Sequence, residues 1–126
     1  MSKANPTLVK PITERIDERG TLIEALNTGR WASLLCGHMK ANAIMGNHYH
    51  MQTEVFLFLT SGRARVVWAS PENGKRGSIS LPARRGIHLQ PKLAHAICYE
   101  EDSSFIILKS RPYSDDDPDT YPYHLV

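Results

Sequence analysis

Turn-forming residues interrupt this chain at nearly regular intervals, and that punctuation limits the fold more than any other feature. Asn42, Gly46, Ser61-Gly62, Pro71 to Gly74, Pro82, Pro91 and Asp102-Ser103 separate short runs rich in β-branched, aromatic and leucine residues. The runs are TLIEAL, WASLLCGHMK, GNHYHMQTEVFLFL, RARVVWAS, KRGSISL, RGIHLQ, HAICYE and SSFIILKS. No window carries a helical apolar stripe, although ERIDERG has the length for one turn. Many short strands divided by Gly, Pro and Asn predict an all-β sandwich or barrel.

A chain of 126 residues is near the commonest domain size and can bury one core. It is expected to form a single domain over 1–126, with 1–14 as an N-terminal arm and 111–126 as a C-terminal tail. The run VFLFL is apolar at both parities, so one face can fill a barrel while the other needs a cover. A symmetric homodimer would supply that cover, as would an intramolecular second sheet. The formal charge is only +2, and GKR and ARR are too short to form a nucleic-acid surface. The N-terminus has no apolar signal core and no stretch reaches the roughly 18 to 20 apolar residues of a spanning helix, which predicts a cytoplasmic protein without a membrane partner. Cys36 and Cys98 are read as reduced thiols.

The chemistry concentrates in GNHYHMQTEVFLFLTSG. In an unbroken strand, side chains at i and i+2 share a face, so His48, His50, Gln52, Glu54, Phe56 and Phe58 are expected on one side. Two imidazoles and a carboxylate make most of a coordination shell, and a further ligand has to come from elsewhere in the chain. His95, 41 residues beyond Glu54, follows the turn-forming segment QPKL and can supply it. The competing reading makes His48 and His50 surface histidines and Glu54 a solvated charge, but Glu54 opens a strongly apolar run.

HxHxxxE, Gly62 and the QPKLAH segment together resemble the paired motifs of the cupin superfamily. The resemblance implies a double-stranded β-helix (cupin, jelly-roll barrel) and one divalent metal held by His48, His50, Glu54 and His95. Two positions depart from the usual pattern. Seven residues rather than six separate Glu54 from Gly62, which predicts a bulge or a longer hairpin, and Lys92 stands where a glycine is usual. DERGTLIEAL, KANAIMGNHYH and DDDPDTYPYHLV further resemble landmarks of small cupins that act on nucleotide-linked 4-keto sugars. They are similar in particular to the C-terminal cupin domain of bifunctional capsular-polysaccharide epimerase/reductases, over roughly residues 15 to 126. That likeness implies a zinc-type metal and epimerisation next to the ketone of a nucleotide-linked sugar. The donor set itself also accepts nickel, manganese, iron or copper. The dTDP-sugar ketoisomerases and 3,5-epimerases share the plan more distantly. Met45 replaces an arginine usual in the former, while Asp17, Arg19 and Gly20 match the opening of the latter.

Such a reaction removes a proton next to a ketone, and a cation or donor near the keto oxygen makes that removal easier. Tyr99, His38 and Lys40 are the candidate proton carriers, and Arg63 and Arg65 the candidate ligands for a diphosphate. Each also has a plain structural reading, Tyr99 as core filler and the others as edge groups. Two further functions use the same site. One is an iron-dependent cupin dioxygenase with an apolar pocket built from Phe56, Phe58 and Trp68; the other is a sensor that binds a small molecule without turnover. In the tail, Asp115 to Asp117 are read as a solvated lead-in and Tyr121 and Tyr123 as packing back over the barrel; a competing, functional reading makes the segment a lid on the pocket.

Overall fold

The computed structural model describes residues 6–126, and among these the regular structure is entirely strand. Two five-stranded antiparallel sheets face each other. The first contains β1 (Leu8–Val9), β4 (Ser33–Met39), β6 (Val55–Ser61), β9 (Arg85–Leu89) and β11 (Ser103–Lys109), in the order β1-β9-β6-β11-β4. The second contains β5 (Ile44–Tyr49), β7 (Arg63–Ala69), β8 (Arg76–Pro82), β10 (Ala94–Tyr99) and β12 (Tyr121–Pro122), in the order β12-β5-β10-β7-β8. Consecutive strands repeatedly cross between the sheets, the wrapping of a double-stranded β-helix. A separate ribbon pairs β2 (Thr13–Asp17) with β3 (Gly20–Glu24). ERIDERG is therefore a hairpin rather than a helical turn, its tip at Glu18 and Arg19.

The core follows from period-2 alternation. Val55, Leu57 and Leu59 of β6, Ala64 and Val66 of β7, Ile97 and Tyr99 of β10, and Phe105 and Ile107 of β11 meet between the sheets. VFLFL is buried on both faces, as its composition requires. Its outer residues Phe56 and Phe58 are only 2% and 8% exposed within the single chain, with Phe56 packed against His88 and Gly86. A partner subunit is thus not needed to cover this strand. Exposed apolar side chains lie elsewhere, Ile16 and Leu22 of the ribbon and Leu34 of β4 among them.

Most turn signals mark real turns. Gly62, at φ +91, reverses the chain between β6 and β7, where a Cβ would meet Ser103 Oγ and come within 2.6 Å of the Asp102 carbonyl. Gly46 instead lies inside β5. With Asn47 it forms a bulge, since His48 pairs with His95 and Gly46 with Ala96, leaving Asn47 without an opposite residue. Both bulge residues have positive φ, +104 and +59. Lys92 takes the conformation its sequence position implied for glycine, with φ +67, and donates its N–H to the His50 carbonyl at 2.6 Å. Cys36 and Cys98 lie on different sheets as free thiols.

Candidate metal centre

The bulge in β5 decides which side chains enter the barrel. Met45 faces the interior, and strict alternation would send Asn47 and Tyr49 inward after it. The extra residue resets the parity, so His48 and His50 line the same cavity as Met45 while Tyr49 turns outward to stack on Tyr121 at 5.4 Å. His95 stands directly across from His48 on β10. One ring nitrogen from each of the three histidines falls within 4.8 Å of the others, and the ring centroids are 4.9 to 5.6 Å apart.

The rings are oriented as ligands. His50 Nδ1 lies 2.7 Å from the Asp119 carbonyl and His95 Nδ1 lies 3.2 Å from the Leu93 carbonyl. A carbonyl only accepts, so both Nδ1 atoms carry the proton and both Nε2 lone pairs are left free. Burial, the neighbouring His50 and the cation of Lys109 hold His48 down at about 4. Burial and the two other imidazoles take His95 down to about 3. His50 is also lowered, chiefly by burial, against the opposing pull of Asp119. Three neutral imidazoles are the protonation state that a divalent transition metal needs, so the residues present fit such an ion.

Glu54 is not with them. The chain bends at Met51 and Gln52 after His50 and re-enters the other sheet at Val55, so the strand assumed to carry all three residues does not exist. Glu54 Oε2 lies 3.4 Å from His88 Nδ1 on the outer face of the first sheet, where Trp31 stacks on His88. The extra residue before Gly62 was the signal. Counting back with the usual six-residue spacing lands on Val55, whose side chain lines the cavity. Glu54→Gln should therefore leave bound metal unchanged and cost less than about 1 kcal/mol, as for a partly exposed pair. Elemental analysis beside a thermal melt checks this, and loss of metal would return Glu54 to the ligand set.

The catalytic candidates move as well. Tyr99 is 1% exposed in the core, stacked on Phe105 with its hydroxyl 3.9 Å from Met45 Sδ, and burial raises it to about 12. It is core filler. His38 alternates with the inward Gly37 and Met39, so it faces outward and meets Ser104 Oγ at 3.2 Å; Lys40 is exposed just past the strand. Arg63 and Arg65 point away from the barrel because Ala64 and Val66 point in, and they pair with Glu101 and Glu100 at 3.3 and 3.7 Å. None of these reaches the cavity.

The cavity has a volume of about 150 Å³. Apolar side chains, Val55, Leu57, Leu89, Ile97 and Ile107 among them, form most of its wall, and Lys109 is its one cation among the described residues. Lys109 was legible, since Phe105, Ile107 and Lys109 share a parity and the first two are core. Nothing local in the sequence sets Asp119 apart from the acidic residues before it in DDDPDTY. Burial opposes its ionisation, but the Thr53 hydroxyl and the N–H groups of Met51, Gln52 and Thr53 overcome that and bring it down to about 2.

No protein-family model matches the sequence, and no curated protein matches it at the sequence level. Solved structures do match in three dimensions. The dTDP-4-dehydrorhamnose 3,5-epimerase from Sulfolobus tokodaii superposes with a TM-score of 0.77 at 21% identity, over 88% of this chain and 73% of that one. A mutant of the 3,4-ketoisomerase QdtA from Thermoanaerobacterium thermosaccharolyticum, in complex with TDP-4-keto-6-deoxyglucose, gives 0.75 at 16%, over 94% and 88%. The capsular polysaccharide assembling protein CapF from Staphylococcus aureus gives 0.70 at 18%, over 91% of this chain and 35% of that one. The chain spans only about a third of the length of CapF. With identities of 16 to 21% the likeness is one of architecture, and it shows that this chain has the double-stranded β-helix fold of the cupins.

Proposed function

We propose that the chain is a metal-dependent epimerase or isomerase acting next to the ketone of a nucleotide-linked 4-keto-deoxy sugar. The observation that carries the reading is the convergence of three neutral imidazoles, with Lys109 beside them, on one largely apolar cavity. Its structural neighbours include a sugar-nucleotide epimerase and a ketoisomerase bound to a 4-keto-6-deoxy sugar, which supports the same chemistry. His48, His50 and His95 would hold the ion, and a divalent metal supplies Lewis-acid polarisation of a carbonyl oxygen worth several kcal/mol. When the neighbouring C–H is broken its proton would pass to solvent water at the cavity mouth, and Lys109 would neutralise the negative charge left on the keto oxygen. The walls formed by Leu57, Leu89 and Ile107 suit a carbon that has lost its hydroxyl. We place the nucleotide outside the cavity, which is too small to hold it. The exposed apolar residues of the ribbon and of β4 suit a homodimer contact.

Incubation with dTDP- and UDP-4-keto-6-deoxyhexoses in deuterated water tests the reading. Deuterium should enter the carbon next to the ketone without added reductant, as followed by NMR. No exchange with either nucleotide, with metal verified in the protein, overturns it. A second reading, an iron-dependent dioxygenase, is favoured by the apolar wall; it predicts oxygen uptake with iron and no exchange.

A further inference from the structure

We propose that Asp119 is a positioning residue for the metal centre: its backbone carbonyl fixes the tautomer of His50 while its carboxylate locks the loop that carries that histidine. The inference rests on the metal reading above and adds to it a role for the C-terminal segment.

Asp119 is set apart from the acidic residues before it. Asp115, Asp116 and Asp117 are exposed, whereas Asp119 is 5% exposed. Its carboxylate is fully used. Oδ1 accepts the N–H of Met51 at 2.8 Å, and Oδ2 accepts the N–H groups of Gln52 and Thr53 at 3.0 and 2.8 Å and the Thr53 hydroxyl at 2.7 Å. These three N–H groups belong to the bend between the two sheets, immediately after His50. The other end of the same residue takes the His50 Nδ1–H at 2.7 Å.

One residue thus grips the loop with its side chain and the imidazole with its main chain. The backbone conformation that permits this is left-handed, φ +51, which is unfavourable for a non-glycine residue. Four hydrogen bonds to an ionised carboxylate more than offset that cost. Arg111 Nη1, 3.6 Å from Oδ2, adds charge on the far side. The segment beyond is held separately. Tyr121 pairs with Tyr49, Tyr123 donates its N–H to the Asn47 carbonyl, and Asn47 Oδ1 accepts the N–H groups of Leu125 and Val126. The contacts of Tyr123, Leu125 and Val126 fall on the bulge that turns His48 inward. The tail therefore supports two of the three histidines from behind, which is how partners of metal-ligating histidines act.

A purely structural anchor would lower the melting temperature when removed but leave the imidazole tautomer alone. Long-range proton–nitrogen NMR of the metal-free protein at neutral pH separates the two roles. Wild-type His50 should show a protonated Nδ1 and an unprotonated Nε2. Asp119→Ala should convert it to a mixture of tautomers and weaken zinc binding by about 10 to 100-fold. Asp119→Asn, which keeps the shape and part of the acceptor set, should fall between; it also serves as the readout if the alanine variant fails to fold. A His50 that keeps its wild-type tautomer in the variants, or zinc affinity within about twofold of wild type, overturns the proposal. If wild type binds no zinc, the metal reading fails, and the tautomer comparison alone then decides the role of Asp119.

Discussion

Purified protein is expected to carry close to one transition metal per chain, and His95→Ala to remove it. Outer-shell partners of a metal site cost about 10 to 100-fold in affinity when lost. A ligand costs more, and here the third donor is not replaceable, because Val55 occupies the place where the usual spacing would put a carboxylate. Elemental analysis of protein made without chelators, with zinc titrations of wild type and variant, gives the answer. Metal-free wild type with a normal fold would move the chemistry to the histidines themselves as acid and base.

The same substitution has a pH signature in the metal-free state. Folded His95 titrates at about 3 and His48 at about 4, both below the ordinary value near 6.5 for an unfolded chain. The unfolded state therefore binds more protons between these values, and stability rises with pH across the window. It is fully present above about pH 6.5 and is lost as the pH falls toward 4 and then 3. Each unit of difference corresponds to about 1.4 kcal/mol. Melting temperatures of chelated wild type should drop steeply from pH 6.5 to 4. The His95→Ala profile should be shallower, since its most depressed imidazole is gone. Equal slopes would mean that His95 is not buried as a neutral base.

How much of this was readable in advance depends on how local each determinant is. The strands and most turns follow from alternation and from residues such as Gly62 that must adopt unusual φ, which are properties of a few neighbours. His48, His50 and His95 were legible as a group because each lies on a strand or beside a turn that the pattern marks. Glu54 misled because parity was carried across a break: the bend at Met51 and Gln52 contains no Gly or Pro, so nothing local announced that one strand was really two. Gly46 misled in the opposite sense, a turn former used to shift register inside a strand. Arg63 and Arg65 were ambiguous until Ala64 and Val66 were known to be core. Asp119 is the least local of all, acting 66 to 69 residues from its partners, and its role exists only once the tail docks.

Lys109→Met is expected to slow deuterium exchange into the substrate by about 100 to 1,000-fold, the range measured when one group stabilising a developing oxyanion is removed. Lys109 is half-buried, lines the cavity wall, and lowers the affinity of all three histidines for protons. Its field therefore reaches the reacting region. Removing the ammonium should have two separable effects. The histidines should titrate at higher pH, since one source of their depression is gone, and this is measurable by NMR whether or not a substrate is known. The exchange rate should fall with little change in substrate affinity, because the charge it neutralises exists mainly as the C–H bond breaks. Lys109→Arg, which keeps the positive charge but not the compact ammonium, should recover the histidine titration and only part of the rate. A rate within about threefold of wild type, with the histidine shifts seen as expected, would leave Lys109 a bystander. The stabilisation of the oxyanion would then have to come from elsewhere in the cavity.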